Sequence, residues 1–441
     1  MTKALLIHPY LYTEKFTLMR QPTDKMAELI SLSEAIQLEV LDTSILKISE
    51  IKPATYIGLG AVQTIQEQVQ KLKIDLVVVN APITPIQQRN LEKRWHTKVI
   101  DRTGLILEIF GDRANTNEGR LQVELASLTY QRSRLVRSWT HLERQRGGHG
   151  FLGGPGELQI ELDRRILDKR IESLKKGLSK VKKTRTLQRK GRQKNQFTQV
   201  ALVGYTNAGK STLFNALTGE DIFAKDLLFA TLDPTIRSIK EKNKQNWVIS
   251  DTVGFISDLP TELVAAFRAT LEEVCEADIL FHVHDVSHAE WKEQAEDVSA
   301  ILASLFEGKD APLVLNVYNK VDQLDPEAQA ALKMRIKGDE KSIAISAKEK
   351  VNLDQLLEKA DYFLTQNNSV FEITLDSCHG KAAAWLHENG QIIDEKYEDT
   401  HIFLRVKLDA RAENRFKKMW HNSVVAMRGC GEIGRHTRFR F

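Results

Sequence analysis

Residues 1–112 alternate short apolar runs with amphipathic stretches. The runs KALLIHP, EVLDTSIL, IDLVVVN and TKVID have the length and apolar character of buried strands. The stretches between them, TDKMAELISLSEAIQ, GAVQTIQEQVQKL and TPIQQRNLEKRW, carry apolar residues at helical spacing. Because strands that alternate with helices build a parallel sheet covered by those helices, this region is predicted to be an N-terminal α/β domain.

A heptad-like pattern replaces this alternation from Leu121 onwards. Two apolar stripes have residues spaced alternately four and three positions apart, and each stripe has one polar member. The first contains Leu121, Leu125, Leu128, Arg132, Leu135, Trp139 and Leu142, and the second contains Ile160, Arg164, Leu167, Ile171, Leu174, Leu178 and Val181. Two helices with facing stripes fold back on each other, so residues 113–196 are predicted to form an antiparallel hairpin. The segment RGGHGFLGGPGELQ has six glycines between Gly147 and Gly156 and lies at the tip of this hairpin.

The apolar run QVALV leads into GYTNAGKST, which matches the phosphate-binding pattern GxxxxGK(S/T). In this pattern glycines allow backbone N–H groups to surround the phosphates, Lys210 reaches the β and γ oxygens, and the Ser211 hydroxyl ligates magnesium. The strand before the motif and the helix-like stretch STLFNALTG after it are the required context. The predicted phosphate-binding residues are Gly204, Tyr205, Thr206, Asn207, Ala208, Gly209, Lys210, Ser211 and Thr212.

Four further motifs follow in the order that a GTPase needs. FATLD supplies Thr231 as a second magnesium ligand, and DTVG brings Asp251 near the magnesium and the Gly254 N–H near the γ-phosphate. In NKVD, Asp322 accepts hydrogen bonds from guanine N1 and the exocyclic amino group, which adenine lacks; SAK supports the base. The predicted nucleotide-contacting residues are Phe229, Ala230, Thr231, Leu232, Asp233, Asp251, Thr252, Val253, Gly254, Asn319, Lys320, Val321, Asp322, Ser346, Ala347 and Lys348.

Catalysis of GTP hydrolysis is assigned to Lys210, Thr231 and Gly254, with Ser211 and Thr231 as the Mg²⁺ ligands. Phe255 follows the DTVG glycine, where many signalling GTPases carry a glutamine that orients the attacking water. Since phenylalanine cannot orient water, intrinsic hydrolysis is expected to be slow unless a partner or ion completes the site. Asn207 has two interpretations: its amide oxygen helps to hold a K⁺ ion against the phosphates, or it makes a hydrogen bond that shapes the loop.

Composition narrows the setting in which this chemistry takes place. The chain has 441 residues, 42% hydrophobic and 28% charged, with a formal net charge of +4, which is typical of a globular protein of about three domains. No apolar run is long enough to span a bilayer, the N-terminus lacks a signal pattern, and three scattered cysteines favour reduced thiols. A cytoplasmic protein is therefore expected. The stretch GLGAVQ lacks the third glycine of a dinucleotide fingerprint and is better explained as a turn before a helix.

Charge is concentrated in the second helix of the hairpin. Residues 163–194 contain fourteen Lys or Arg residues against three acidic ones. Although a solvated charged face is the common explanation of such a run, so large an imbalance favours the binding of a nucleic-acid backbone. The charge alone does not distinguish DNA from RNA.

Taken together, GGPGELQIELDRR, ATYIGLG, QQRNLEKRW, FATLD and DTVGFISDLPTELVAAFRATLEE resemble the HflX family of translational GTPases over roughly residues 20–365. The resemblance implies a cytoplasmic, monomeric GTPase that binds the large ribosomal subunit and its rRNA and splits stalled or idle ribosomes, notably under heat stress. It also implies that the glycine-rich loop approaches the peptidyl transferase centre. Two other roles remain open: a GTPase of large-subunit assembly, and a GTP-gated RNA-binding scaffold with little turnover.

The GTP-binding domain is predicted over residues 197–367, and a small α+β domain over residues 368–441. Within the latter, the pattern indicates a strand, a helix, two strands and a helix. The resemblance implies a C-terminal domain that contacts the ribosome. The final RGCGEIGRHTRFRF is expected to be a disordered basic tail.

Overall fold

The computed structural model describes residues 2–11, 21–114, 116–139, 155–194, 197–219, 229, 235–239, 247–257, 272–308, 311–366, 369–398, 400–408, 410–420, 424–430 and 437–438. Contacts divide the chain into two compact units. One contains Met1–Leu187 with Gln199–Val351, and the other contains Gln188–Thr198 with Asn352–Phe441. No helix within the described ranges combines the length and the apolar character needed to cross a bilayer.

The first sheet is the parallel sheet that the alternating pattern predicts. Its strands β1 (Lys3–Leu11), β2 (Glu39–Ile48), β3 (Leu76–Val79) and β4 (Lys98–Asp101) lie in the order β2-β1-β3-β4, with parallel pairing throughout. The helices that alternate with them are α1 (Pro22–Glu34), α2 (Leu59–Leu72), α3 (Pro85–Trp95) and α4 (Arg102–Arg113). β3 is buried along its whole length, as expected of a strand covered on both faces.

The helical hairpin is also confirmed in the described residues. α5 (Asn117–Trp139) and α6 (Pro155–Lys194) run antiparallel, because an ion pair joins Arg132 to Asp168 at 2.8 Å and another joins Glu124 to Arg170 at 2.7 Å. At ~1.5 Å per residue, α6 is roughly 60 Å long. The glycine-rich loop, 140–154, lies outside the described residues.

One face of α5 was not predicted. Val123 and Ala126 are almost completely buried, and they belong to the apolar core that also contains residues of α1 and α4. The predicted stripe lies on a different face, where Leu121, Leu125 and Leu128 are only half-buried. α5 therefore packs on two sides, against the α/β domain and against α6.

A second, mostly parallel sheet of six strands contains the predicted nucleotide motifs. Its order is β10-β9-β8-β5-β7-β6; the pairs β10–β9, β9–β8 and β8–β5 are parallel, and β6 is antiparallel to β7. The strands are β5 (Thr198–Gly204), β6 (Thr235–Ser238), β7 (Trp247–Asp251), β8 (Ile279–Asp285), β9 (Leu313–Asn319) and β10 (Ser342–Ala344). The helices are α7 (Lys210–Thr218), α8 (Glu272–Glu276), α9 (Trp291–Leu305) and α10 (Pro326–Ile336).

The second unit contains α11 (Leu353–Gln366) and then a βαββαβ arrangement with one further strand. Its sheet has the order β12-β13-β11-β14-β15 and is antiparallel throughout. The elements are β11 (Ser369–Asp376), α12 (Gly380–Asn389), β12 (Gln391–Tyr397), β13 (His401–Leu408), α13 (Ala410–Trp420), β14 (Val424–Cys430) and β15 (Thr437–Arg438).

The expectation of a disordered C-terminal tail is wrong in part. Arg428, Gly429 and Cys430 end strand β14, and Thr437 and Arg438 form β15. Strand β14 pairs with β11, so its backbone has hydrogen-bonding partners. The sequence did not predict a strand here, because glycines and charged residues have a low propensity for strands.

Candidate nucleotide-binding site

The predicted phosphate-binding loop connects β5 to α7, and two of its glycines are sterically required. Gly204 has φ +154°, and a Cβ there would lie 2.3 Å from the carbonyl oxygen of Val283. Gly209 has φ +90° and is the N-cap of α7; a Cβ on it would lie 2.2 Å from Nδ2 of Asn319. The loop backbone therefore curls tightly over the N-terminus of α7, a position that favours anions.

Lys210, on the first turn of α7, is turned into this loop. Its Nζ donates to the carbonyl oxygens of Tyr205 at 2.7 Å and Gly204 at 3.1 Å. Burial lowers the pKa of this lysine to about 8, although the nearby negative charge of Asp251 acts to raise it. Two carbonyl oxygens do not fully compensate a buried ammonium group for its lost hydration. Phosphate oxygens are the acceptors that would complete its hydrogen bonding.

The predicted magnesium ligand Ser211 lies beside a carboxylate. Its Oγ donates to Oδ2 of Asp251 at 2.7 Å, and Asp251 ends β7. A hydroxyl and a carboxylate oxygen are the hard donors that Mg²⁺ prefers, so the residues present fit that ion. The other predicted ligand, Thr231, lies outside the described residues, as do Ala230, Leu232 and Asp233.

The DTVG segment is hydrogen-bonded directly to the phosphate-binding loop. Thr206 donates its N–H to the carbonyl oxygen of Phe255 at 2.7 Å, and Phe255 donates to that of Gly204 at 3.1 Å. Gly254 faces Lys210: a Cβ on Gly254 would lie 3.1 Å from the lysine Nζ and 2.9 Å from Cγ2 of Thr206. The structure thus brings together the two segments that were predicted to contact the γ-phosphate.

The remaining members of these segments are largely buried. Thr252 donates from Oγ1 to the carbonyl oxygen of Leu202, which fixes β7 against β5. Ala208 and Val253 are buried, whereas Asn207 is exposed and has φ +60°. Thr212, the second residue of α7 after Lys210, is half-buried.

The two predicted base-binding motifs meet at the ends of β9 and β10. Ser346 donates from Oγ to Oδ1 of Asp322 at 2.6 Å, and Ala347 donates its N–H to Oδ1 of Asn319 at 2.9 Å. Asn319 also donates from Nδ2 to the carbonyl oxygen of Ala208 at 2.9 Å. Asn319 therefore links the phosphate-binding loop to the SAK motif, a structural role that the motif alone does not reveal.

Lys320 adopts a left-handed backbone conformation with φ +65°, and its Nζ forms an ion pair with Asp285 at 2.6 Å. The N–H of Val321 donates to the carbonyl oxygen of Ile345 at 3.3 Å, and Lys348 is exposed. These contacts hold the NKVD turn against the strand ends. The base-binding motifs are therefore held in place by contacts within the protein.

A buried polar cluster joins the α/β domain to this site. The Tyr205 hydroxyl donates to Oε1 of Glu28 and accepts the N–H of Ser257 at 2.8 Å. Glu28 Oε2 forms an ion pair with Arg102 at 2.8 Å, and Lys25 donates to Oγ of Ser257 at 2.7 Å. Sequence reasoning missed Glu28, Arg102 and Ser257, because no motif connects them.

Electrostatics in this cluster follow from burial and pairing. Burial opposes ionisation of Glu28, but Arg102, Lys25 and the Tyr205 hydroxyl outweigh it and lower the pKa of that carboxyl. Burial, together with the negative charge of Glu28, raises the pKa of Tyr205. The cluster thus holds a charged carboxylate and a neutral phenol.

Beside the cluster lies a cavity of about 200 Å³, lined by residues of α1, the phosphate-binding loop and the start of α9.

Phe229, the first residue of FATLD, is buried and packs edge-to-face on Phe110 of α4, with ring centroids 4.6 Å apart. It therefore contacts the α/β domain. The prediction that Phe229 contacts the nucleotide remains a prediction.

Two histidines of β8 lie beneath the site. His282 and His284 have ring centroids 4.0 Å apart, and Nε2 of His284 lies 3.3 Å from Oδ1 of Asn316. Burial lowers the pKa of His282, and the electrostatic effects of His284 and Lys210 add to this shift. Burial also lowers the pKa of His284, to about 4. Both rings are therefore neutral at physiological pH.

Three family sequence models match successive parts of the chain. Residues 23–111 match the family described as GTP-binding GTPase N-terminal, residues 113–192 match GTP-binding GTPase Middle Region, and residues 199–320 match 50S ribosome-binding GTPase. A solved structure of a GTP-binding protein from Sulfolobus solfataricus in complex with GDP is 25% identical, over 83% of this chain and 99% of that one, with a TM-score of 0.42.

Full-length relatives are closer in sequence. A GTPase HflX from Magnetococcus marinus is 48% identical over 382 residues, which is 86% of this chain and 87% of the relative. A GTPase HflX from Escherichia coli is 39% identical over 412 residues, or 92% and 93% of the two chains. Identity of this extent, together with a GTP-binding fold whose motifs converge on one site, shows that the chain belongs to the HflX family of GTPases.

Proposed function

We propose that this GTPase binds the large ribosomal subunit in the cytoplasm and uses GTP to split stalled or idle ribosomes. The observation that carries the proposal is the match of residues 199–320 to a family of 50S ribosome-binding GTPases, within a chain of the HflX family. The antiparallel helices α5 and α6 support it, because the glycine-rich segment that joins them is predicted to lie at the tip of a hairpin, where a partner can reach it.

The second half of α5 is bound firmly to the α/β domain. On α5, Tyr130 donates to Oδ1 of Asp101 at 2.6 Å, and Arg134 pairs with Oδ2 of the same carboxylate at 3.1 Å. Asp101 is also the N-cap of α4, where it accepts the N–H of Gly104 at 2.8 Å. We infer that the hairpin and the α/β domain move together as one rigid body.

We propose the following roles in GTP hydrolysis. Lys210 and the N–H of Gly254 stabilise charge on the γ-phosphate, and Asp322 with Ser346 reads the guanine edge. Ser211, Thr231 and the nearby Asp251 carboxylate hold Mg²⁺, which neutralises phosphate charge when bound. The exposed Asn207 holds K⁺ against the phosphates, an assignment tested by comparing hydrolysis in potassium and sodium chloride.

Light scattering of intact ribosomes tests the proposed function. Scattering is expected to fall when the protein and GTP are added together, and to stay constant with GDP. Lys210→Ala serves as the matched control, because it removes the buried ammonium from the phosphate-binding loop. Unchanged scattering with the wild-type protein, alongside normal GTP hydrolysis, would show that splitting is not the function.

A further inference from the structure

Asp285 ends strand β8 beside the predicted base-binding motif, although it belongs to none of the nucleotide motifs. The strand register places it directly opposite Asn319, the first residue of NKVD. Asp285 also lines the cavity that Tyr205 and Thr206 of the phosphate-binding loop line. It therefore lies between the segment that is predicted to hold the base and the segment that is predicted to hold the phosphates.

The Asp285 carboxylate has partners at both of its oxygens. Oδ1 accepts the N–H of Ser287 at 3.1 Å and the Ser287 hydroxyl at 2.5 Å, and Oδ2 accepts from Nζ of Lys320 at 2.6 Å. The side chains of Asp285 and Lys320 are only 12% and 20% exposed. Because the turn at Ser287 fixes the carboxylate, the carboxylate in turn fixes the position of the lysine ammonium.

The backbone at Lys320 is consistent with a side chain that must point in this direction. Its φ of +65° lies in the left-handed region, which residues with a Cβ seldom adopt unless the surrounding structure requires it. The NKVD turn sends two side chains to opposite neighbours: Lys320 reaches Asp285 at the end of β8, and Asp322 reaches Ser346 after β10. The turn thus separates the contact to the edge of the base from the contact to β8.

The order of the strands indicates what lies over the Lys320 stem. In the run β10-β9-β8-β5, the SAK motif follows β10, NKVD follows β9 and the phosphate-binding loop follows β5. A nucleotide that is read by Asp322 and Ser346 and has its phosphates in that loop must pass over the ends of β9 and β8, which are about 4.8 Å apart. The four-carbon stem of Lys320 runs from β9 to β8 along the same path, and such stems cover apolar surfaces while the charged end is held elsewhere.

We propose that Asp285 is a positioning residue for nucleotide binding, which holds the Lys320 ammonium at the end of β8 so that the lysine stem supports the guanine ring and the ribose. Its negative charge also keeps the ammonium from moving toward the phosphates. Since the supported part is the nucleoside, GDP and GTP benefit equally. The inference deepens the proposed reading of guanine by Asp322 and rests on that assignment, but not on ribosome splitting.

The test measures nucleotide binding by the full chain, with fluorescent GDP and a fluorescent GTP analogue that is not hydrolysed. Asp285→Ala is expected to weaken both about tenfold, and to raise KM for GTP without lowering kcat. Lys320→Ala is expected to cause the same loss, and the double alanine variant no more than either single one, because both changes remove one shared interaction. Asp325→Asn, which alters only the cap of α10, is the matched control.

A second pair of variants separates the apolar support from a purely structural ion pair. Lys320→Met with Asp285→Asn removes both charges and keeps the stem, so its affinity for GDP is expected to stay within about threefold of the wild type. Lys320→Ala with Asp285→Asn lacks the stem and is expected to bind about tenfold more weakly. The two variants differ only in the stem, so the comparison holds even if Asp285→Ala fails to fold, which urea unfolding checks.

Three results would overturn the inference: equal affinities of these two variants, additive losses in the double alanine variant, or a loss for the GTP analogue alone. Asp285→Ala is expected to keep the preference for GTP over XTP, because the lysine stem supports the face of the base and not its edge. If Asp322→Asn also keeps that preference, the base site itself is wrong and the inference fails with it. If Asp322→Asn prefers XTP while folded Asp285→Ala binds GDP like the wild type, only the role of Asp285 is wrong.

Discussion

Arg102 donates to both the carbonyl oxygen and the hydroxyl oxygen of Ser257, each at 3.1 Å, although 155 residues separate them. The same guanidinium forms an ion pair with Glu28, and its other terminal nitrogen donates to Asn80 at 2.9 Å. Arg102 is 5% exposed. It therefore ties the segment after DTVG to the α/β domain through a buried charge.

Replacing Arg102 with alanine is expected to destabilise the protein by about 3 to 5 kcal/mol, because Glu28 is left as a buried carboxylate without its main partner. Replacing Glu28 and Arg102 together with leucine is expected to cost less than Arg102→Ala alone, since no unpaired charge remains. Urea unfolding measures both. Arg89→Ala, on the exposed side of α3, is the control; a loss below about 1 kcal/mol for Arg102→Ala would contradict the role of the pair.

Asp322→Asn is expected to exchange a preference for GTP for a preference for XTP. The amide introduces a donor that faces the N–H donors of guanine, whereas xanthine presents an acceptor there, and such a change costs about 1 to 3 kcal/mol. Competition binding with the two nucleotides measures the change. Asp325→Asn is the matched control, because Asp325 caps α10 through the N–H of Ala328 at 2.7 Å. A variant at Asp322 that still prefers GTP would rule out the assignment.

GTP hydrolysis is expected to be slow in isolation and faster with large ribosomal subunits. Phe255 is 3% exposed and has no group that orients water, so the missing positioning must come from a partner or an ion. Steady-state phosphate release, measured with large subunits and with small subunits as control, tests this. Equal rates in both mixtures would argue against completion of the site by the large subunit.

Stability is expected to fall as the pH drops below about 6.5, the usual pKa of histidine. Burial lowers the pKa of His284 to about 4, so the folded protein binds fewer protons than the unfolded chain between these two values. This residue alone then removes about 3 kcal/mol of stability between pH 7 and pH 4. Unfolding midpoints at several pH values measure the slope.

His284→Gln is expected to flatten this pH dependence, because glutamine does not titrate. His288→Gln is the control, since His288 is exposed. Identical slopes for His284→Gln and the wild type would show that other groups cause the acid sensitivity.

Shortening residues 147–154 to a tight turn is expected to abolish ribosome splitting and to leave GTP affinity unchanged, because the phosphate-binding loop lies in another domain. Salt-sensitive binding through the basic helix α6 is expected to persist. Light scattering, nucleotide affinity and ribosome co-sedimentation at two salt concentrations measure the three properties. A shortened protein that splits ribosomes at the normal rate would show that the loop is only a linker.

Much of the site could be predicted from the sequence because its motifs are local. The spacing from Gly204 to Ser211 specifies a loop before a helix, and strand-like runs precede Asp251, Asp322 and Ser346. Strand ends in a parallel sheet meet at one edge, so these residues are brought together by the topology alone. The alternation in residues 1–112 predicted the first sheet for the same reason: periodicity reports which residues are buried.

The sequence by itself determined the family, the sheets and the order of the nucleotide motifs. Only the tertiary structure decided that Glu28 and Arg102 contact Tyr205 and Ser257 of the GTP-binding region, that Val123 on α5 packs against α4, and that β14 adds a strand to the C-terminal sheet. Periodicity records whether a residue is buried, but not which distant residue lies opposite it. That choice depends on how whole elements pack, and a buried ion pair between positions far apart in sequence leaves no local pattern.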